Sequence, residues 1–107
     1  MFMRMALAAV LTVQIPALAL AAEKHVVTMA ASVYHPPTLT ARVGDTIRFV
    51  NDDGTDHGVF VPTVGYATDL GTQKSKEARE LILLKPGSFE VECTFHEHML
   101  LKVEVTP

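Results

Sequence analysis

Within seven residues, Cys93-Thr94-Phe95-His96-Glu97-His98-Met99 brings together a thiol, two imidazoles and a thioether. Cys93, His96 and Met99 stand at Cys-x-x-His-x-x-Met spacing, so one short segment offers three donors to a single ion. Methionine is a poor ligand for zinc, and thiolate with thioether points to copper. One cysteine and two histidines in a trigonal plane, with a weak axial methionine, form the geometry of electron-transfer copper. That geometry needs a second histidine from elsewhere, and His25, His35 and His57 are the candidates. His98 is a spare donor able to replace Met99 or His96, which would make the site more tetragonal.

Other chemistries fit these residues less well. Cys93 is the sole cysteine, so no disulfide can form within the chain. A catalytic thiol paired with His57 would need a third, orienting residue, and none is evident. A binuclear copper centre needs two cysteines. The His96-x-His98 pair is of a kind found in multicopper oxidases, but those enzymes need further copper sites and further domains.

The elements that must position these donors read as β-structure. His25–Ala30 makes a first strand. Leu39, Ala41 and Val43 alternate with polar residues, and after Gly44-Asp45 the alternation resumes at Ile47 and Phe49 as far as Asn51. Asp52-Asp53-Gly54 is a turn signal, and His57 follows it at the start of a short strand, Gly58–Val61. Residues 63–76 lack clean periodicity and read as a long loop with a short strand or helical turn. Glu80–Leu84 and Phe89-x-Val91-x-Cys93 are strands separated by a Lys85-Pro86-Gly87 turn. Leu101, Val103 and Val105 form the last strand, beginning shortly after Met99. The expected fold is therefore an all-β, single-domain antiparallel sandwich or small barrel. His96, His98 and Met99 should lie on the loop joining its last two strands.

The whole chain has 107 residues, 20% of them charged, with a formal net charge of −3. That is enough for one small core, and an acidic balance makes no case for nucleic acid. Residues 1–21 read as a secretory signal peptide: Arg4 is the positive start, Met5–Val13 the apolar run, and Ala19-Leu20-Ala21 fits the cleavage pattern. Gln14 and Pro16 leave that run short for a bilayer, so no stable membrane anchor is expected. Residues 22–107 are then the folded domain, exported or periplasmic, and expected to be a monomer.

The segments VGDTIRFVN (Val43–Asn51), Asp56-His57-Gly58, KPGSFEVEC (Lys85–Cys93) and the closing Cys-x-x-His-x-x-Met together resemble the cupredoxins. The similarity runs from about His25 to Val105. It implies a Greek-key β-sandwich holding one type 1 copper ion, with His57, Cys93 and His96 as equatorial ligands and Met99 as the axial one. It also implies that Asn51 braces the cysteine loop through hydrogen bonds, and that His96 exposes its ring edge as the electron port. Two positions depart from the family pattern: Phe95 stands where a proline is usual, and Leu101 where a glycine is common. The resemblance implies a carrier rather than an enzyme, passing single electrons between redox proteins such as a c-type cytochrome or a dehydrogenase. Asp52, Asp53 and Asp56 are turn residues that could also steer a positively charged partner. The alternative from another class is a copper carrier or resistance protein with no electron-transfer role, and the extra His98 is the feature that favours it.

Overall fold

The computed structural model describes residues 2–14 and 21–107. Most of the expected cleavage pattern, including Ala19 and Leu20, lies outside the described residues. Residues 2–14 carry no regular secondary structure, and among the described residues no helix is long and apolar enough to cross a membrane. From Lys24 onward the chain forms nine strands: β1 (Lys24–Ala30), β2 (Val33–His35), β3 (Thr38–Arg42), β4 (Thr46–Asn51), β5 (His57–Val61), β6 (Thr68–Gln73), β7 (Ala78–Ile82), β8 (Gly87–Cys93) and β9 (His96–Thr106).

The strands form two sheets, ordered β2-β1-β4-β7 and β3-β9-β8-β5-β6. Their inner faces supply one core, in which Val27, Ile47 and Phe49 of the first sheet meet Val59, Val91 and Leu101 of the second. Alternation of apolar and polar side chains is what makes these segments strands, because successive side chains point to opposite faces. In β9 the buried residues Met99, Leu101, Val103 and Val105 recur at every second position. The all-β sandwich is as expected.

Three details differ from or sharpen the sequence expectation. The sheets are mixed rather than antiparallel throughout, since β1 pairs with β4 and β3 with β9 in parallel. Parallel neighbours need a crossover connection, and β2 followed by β3, which lies in the opposite sheet, provides one between β1 and β4. In the aperiodic stretch 63–76, expected to hold a short strand or a helical turn within a long loop, the strand alternative is the one found, and β6 runs for six residues paired antiparallel with β5. Its sequence TDLGTQ has few apolar residues to alternate, so backbone pairing with β5 rather than side-chain burial defines it.

The third detail concerns the donors themselves. β9 begins at His96, not after Met99, so β8 and β9 are joined only by Thr94 and Phe95. Cys93 pairs with His96 across this tight turn, with a register irregularity between Glu92 and Cys93. His96 is therefore held by backbone pairing with Cys93, while residues 97–99, with His98 and Met99 among them, lie at the register irregularity without a registered partner on β8.

Candidate metal centre

The centre forms where β5, β8 and β9 end side by side. His57 opens β5 and is fully buried, Cys93 closes β8 and is 4% exposed, and His96 opens β9 half-buried. Their donor atoms lie within 4.8 Å of one another. Cys93 Sγ is 3.9 Å from His57 Nδ1 and 3.8 Å from His96 Nδ1. The two imidazole rings stand 4.9 Å apart between centroids, tilted by 58°. Metal–nitrogen and metal–sulfur bonds of about 2.0–2.1 Å and about 2.3 Å, set at about 120°, would separate N from S by roughly 3.8 Å. The three donors thus already stand at the spacing that one small ion requires.

His57 and Cys93 are each oriented by a separate device. Asp53 Oδ2 lies 2.6 Å from His57 Nε2. The Nε2–H donates to this carboxylate, which leaves the Nδ1 lone pair facing Cys93, the usual way a ligating histidine is fixed. Asp53 is itself held by the N–H groups of Ser32 and Ala31, at 2.9 and 2.8 Å. The Ser32 N–H first, then the His57 ring and the Ala31 N–H, keep its carboxyl down at about 2. Cys93 Sγ accepts the Gly58 N–H at 3.3 Å, a bond that draws negative charge from the sulfur. Met99 is 1% exposed and belongs to the same core cluster as Cys93.

Asn51 braces a different segment from the one expected. Its Nδ2 donates to Thr55 O at 2.8 Å and to Gln73 O at 2.9 Å, and its Oδ1 accepts the Asp53 N–H at 3.0 Å. These bonds shape the 52–56 turn that delivers His57. Among the described residues its side chain bonds nothing in the Cys93–Met99 segment. The reason is topological: β4 belongs to the other sheet and ends beside that turn, not beside β9.

The remaining histidines lie elsewhere. His98 is exposed, its ring 5.9 Å from that of His96, and it is not among the converging donors. His96 is level with Cys93 across the β8–β9 pairing, whereas His98 falls in the irregular stretch 97–99 and has no registered partner on β8. His35 Nε2 is 3.1 Å from Ala30 O. His25 Nε2 lies 2.8 Å from Asp45 Oδ2, beside Glu23, at the opposite end of β1 and β4. That carboxylate also accepts the N–H groups of Glu23 and Arg42, so its oxygens are already occupied. Of the three acidic turn residues, Asp52 pairs with Lys76 and Asp53 with His57, which leaves Asp56 exposed. Asp53 is the functional side chain that sequence reasoning missed. Its position four residues before His57 was the available signal, overshadowed by the turn-forming character of Asp-Asp-Gly.

With thiolate, two imidazoles and a buried thioether at one end of a β-sandwich, the donor set fits a single copper ion. Comparison with known proteins agrees with the fold. Residues 3–105 match the family model of the cupredoxin-like domain. The chain is 37% identical over 83 residues to amicyanin of Paracoccus denitrificans, a match spanning 75% of this chain and 63% of the length of amicyanin. It is 30% identical over 90 residues to the methylamine utilization protein MauL of Methylorubrum extorquens, covering 83% of this chain and 79% of that one. A Cu(I) structure of an amicyanin variant superposes with a TM-score of 0.71 at 29% identity, covering 77% of this chain and 81% of that one. The chain belongs to the cupredoxin family.

Proposed function

We propose that this protein is an exported one-electron carrier, with copper held by His57, Cys93 and His96 and, axially, by Met99. The observation that carries this reading is the convergence of two Nδ1 atoms on one buried sulfur at 3.8–3.9 Å. The names of the relatives add support: amicyanin is solved with Cu(I), and MauL is named for methylamine utilization.

A copper ion bound there would supply the Cu(II)/Cu(I) couple. The chain's own part is to keep the ligands still. Cys93 and His96 are tied to each other by the β8–β9 pairing, and His57 is clamped by Asp53. Donors held this firmly have little room to rearrange between oxidation states, which keeps the barrier to transfer low. His57 is sealed from solvent, whereas His96 is half-buried and so offers the path to the surface. Phe95, 53% exposed, and Leu100, 36% exposed, flank it and provide a small apolar surface for a redox partner. Brief redox encounters use small interfaces of this kind.

Export rests on residues 1–21 acting as a cleaved leader, which N-terminal sequencing of the secreted protein would check. The rival reading, copper handling without electron transfer, draws on His98, and its ring stands apart from the converging donors. Copper loading followed by optical titration with a reductant separates the two. An intense visible band that bleaches and returns supports the carrier; a protein that holds only Cu(I) supports copper handling.

A further inference from the structure

Strand β5 lies beside β8, yet among the described residues the two share one paired register, Phe60 with Glu92. Towards the copper end their ladder is open. In an antiparallel ladder, a hydrogen-bonded residue exchanges both its N–H and its C=O with one neighbour. Gly58 is buried and registered with Thr72 of β6, but it has no registered partner on the β8 side, where side chains take its N–H and C=O. Its N–H donates to Cys93 Sγ at 3.3 Å, and its C=O accepts the hydroxyl of Tyr34 at 2.7 Å. Tyr34 is 2% exposed and belongs to β2, in the opposite sheet, so its hydroxyl bridges the sandwich. Its ring packs edge-on to Phe49, with centroids 6.4 Å apart. A phenylalanine would fill nearly the same space. What the tyrosine adds is a hydrogen-bond donor to the buried Gly58 carbonyl.

We propose that Tyr34 is a positioning residue for the copper centre: its hydroxyl pins the Gly58 carbonyl and thereby aims the Gly58 N–H at the Cys93 sulfur. Hydrogen bonding at the cysteine sulfur tunes the potential of such sites. An N–H that draws charge from the thiolate weakens the donation on which Cu(II) depends more than Cu(I). Release of Gly58 therefore favours the oxidised form and lowers the reduction potential. Burial first, with the negative charges of Cys93 and Glu92, pushes the hydroxyl above its ordinary pKa, so it remains protonated and able to donate. This inference rests on Cys93 being a copper ligand.

The test is Tyr34→Phe, read in two states. In the copper-free, thiol-reduced protein, the Gly58 amide should exchange faster with solvent and its NMR signal should shift. In the copper-loaded protein, the reduction potential should fall. Phe49→Leu is the control for lost packing: it should lower Tm while leaving both readouts in place. A Tyr34→Phe protein with an unchanged Gly58 amide and an unchanged potential overturns the proposal, however much its Tm falls. Without any variant, the unmutated chain should show a slowly exchanging hydroxyl proton from Tyr34, and free exchange with water would also overturn it. Failure of the copper reading is separately visible, as the absence of a thiolate band in the unmutated protein.

Discussion

Asp53 and Cys93 stand on opposite edges of the His57 ring, the carboxylate 2.6 Å from Nε2 and the sulfur 3.9 Å from Nδ1. The ring is thus held at one nitrogen and presented with the other. Loss of such an outer partner typically lowers metal affinity about 10- to 100-fold. Asp53→Asn should weaken copper binding by that amount in a competition titration. It should also raise the reduction potential, because a negative charge beside the ligand ring favours Cu(II).

Different substitutions separate the packing of Met99 in the core from its proposed ligation of copper. Burial in the core makes Met99→Ala cost about 2–5 kcal/mol of stability through the cavity it leaves. Met99→Leu keeps most of the volume and should cost less than about 1.5 kcal/mol. If the thioether also donates to copper, both variants should raise the potential similarly despite their unequal stability. Denaturant unfolding of the copper-free protein, together with voltammetry of the loaded protein, reads the two effects apart.

His96 and His98 should behave oppositely. His96→Ala removes a converging donor and should abolish the intense visible band. His98→Ala alters an exposed ring outside that set and should leave the band unchanged in position and strength. A band that moves with His98 instead would make it a ligand.

Acid should act at the far end of the sandwich. The Glu23 N–H, then the His25 ring and the Arg42 N–H, hold the Asp45 carboxyl well below its ordinary range. A folded-state pKa below the unfolded one contributes stability above the unfolded value, near 4, and loses it as pH falls through the lower folded value. Asp45→Asn should therefore lower Tm at pH 7 and flatten its decline below pH 4. Parallel melting curves of the two proteins at pH 7 and pH 3 would check this.

Much of the centre was legible because its donors are encoded locally. Strand alternation located β4, β8 and most of β9, and the order of Asn51, His57, Cys93, His96 and Met99 carried the resemblance on which the proposed site rests. What escaped depends on contacts between segments distant in sequence. Alternation looks the same whether a neighbouring strand runs parallel or antiparallel, so the β1–β4 and β3–β9 pairings could not be read. β6 is held by its pairing with β5, which leaves no periodic trace in TDLGTQ. The start of β9 at His96 reflects a two-residue turn in which no glycine or asparagine announces itself. Asn51 was identified, but its partners were not, because they follow from which sheet β4 joins. Tyr34 meets Gly58 from 24 positions away, across the sandwich.

Cys93 and the two histidines are proposed to hold one copper ion in a trigonal site. The most direct measurement is the visible absorption and electron paramagnetic resonance spectrum of the Cu(II)-loaded protein beside that of Cys93→Ser. One equivalent of copper should produce an intense thiolate charge-transfer band with unusually narrow copper hyperfine splitting, both absent from the serine variant. A weak band with ordinary hyperfine splitting, the same in both proteins, would contradict the claim.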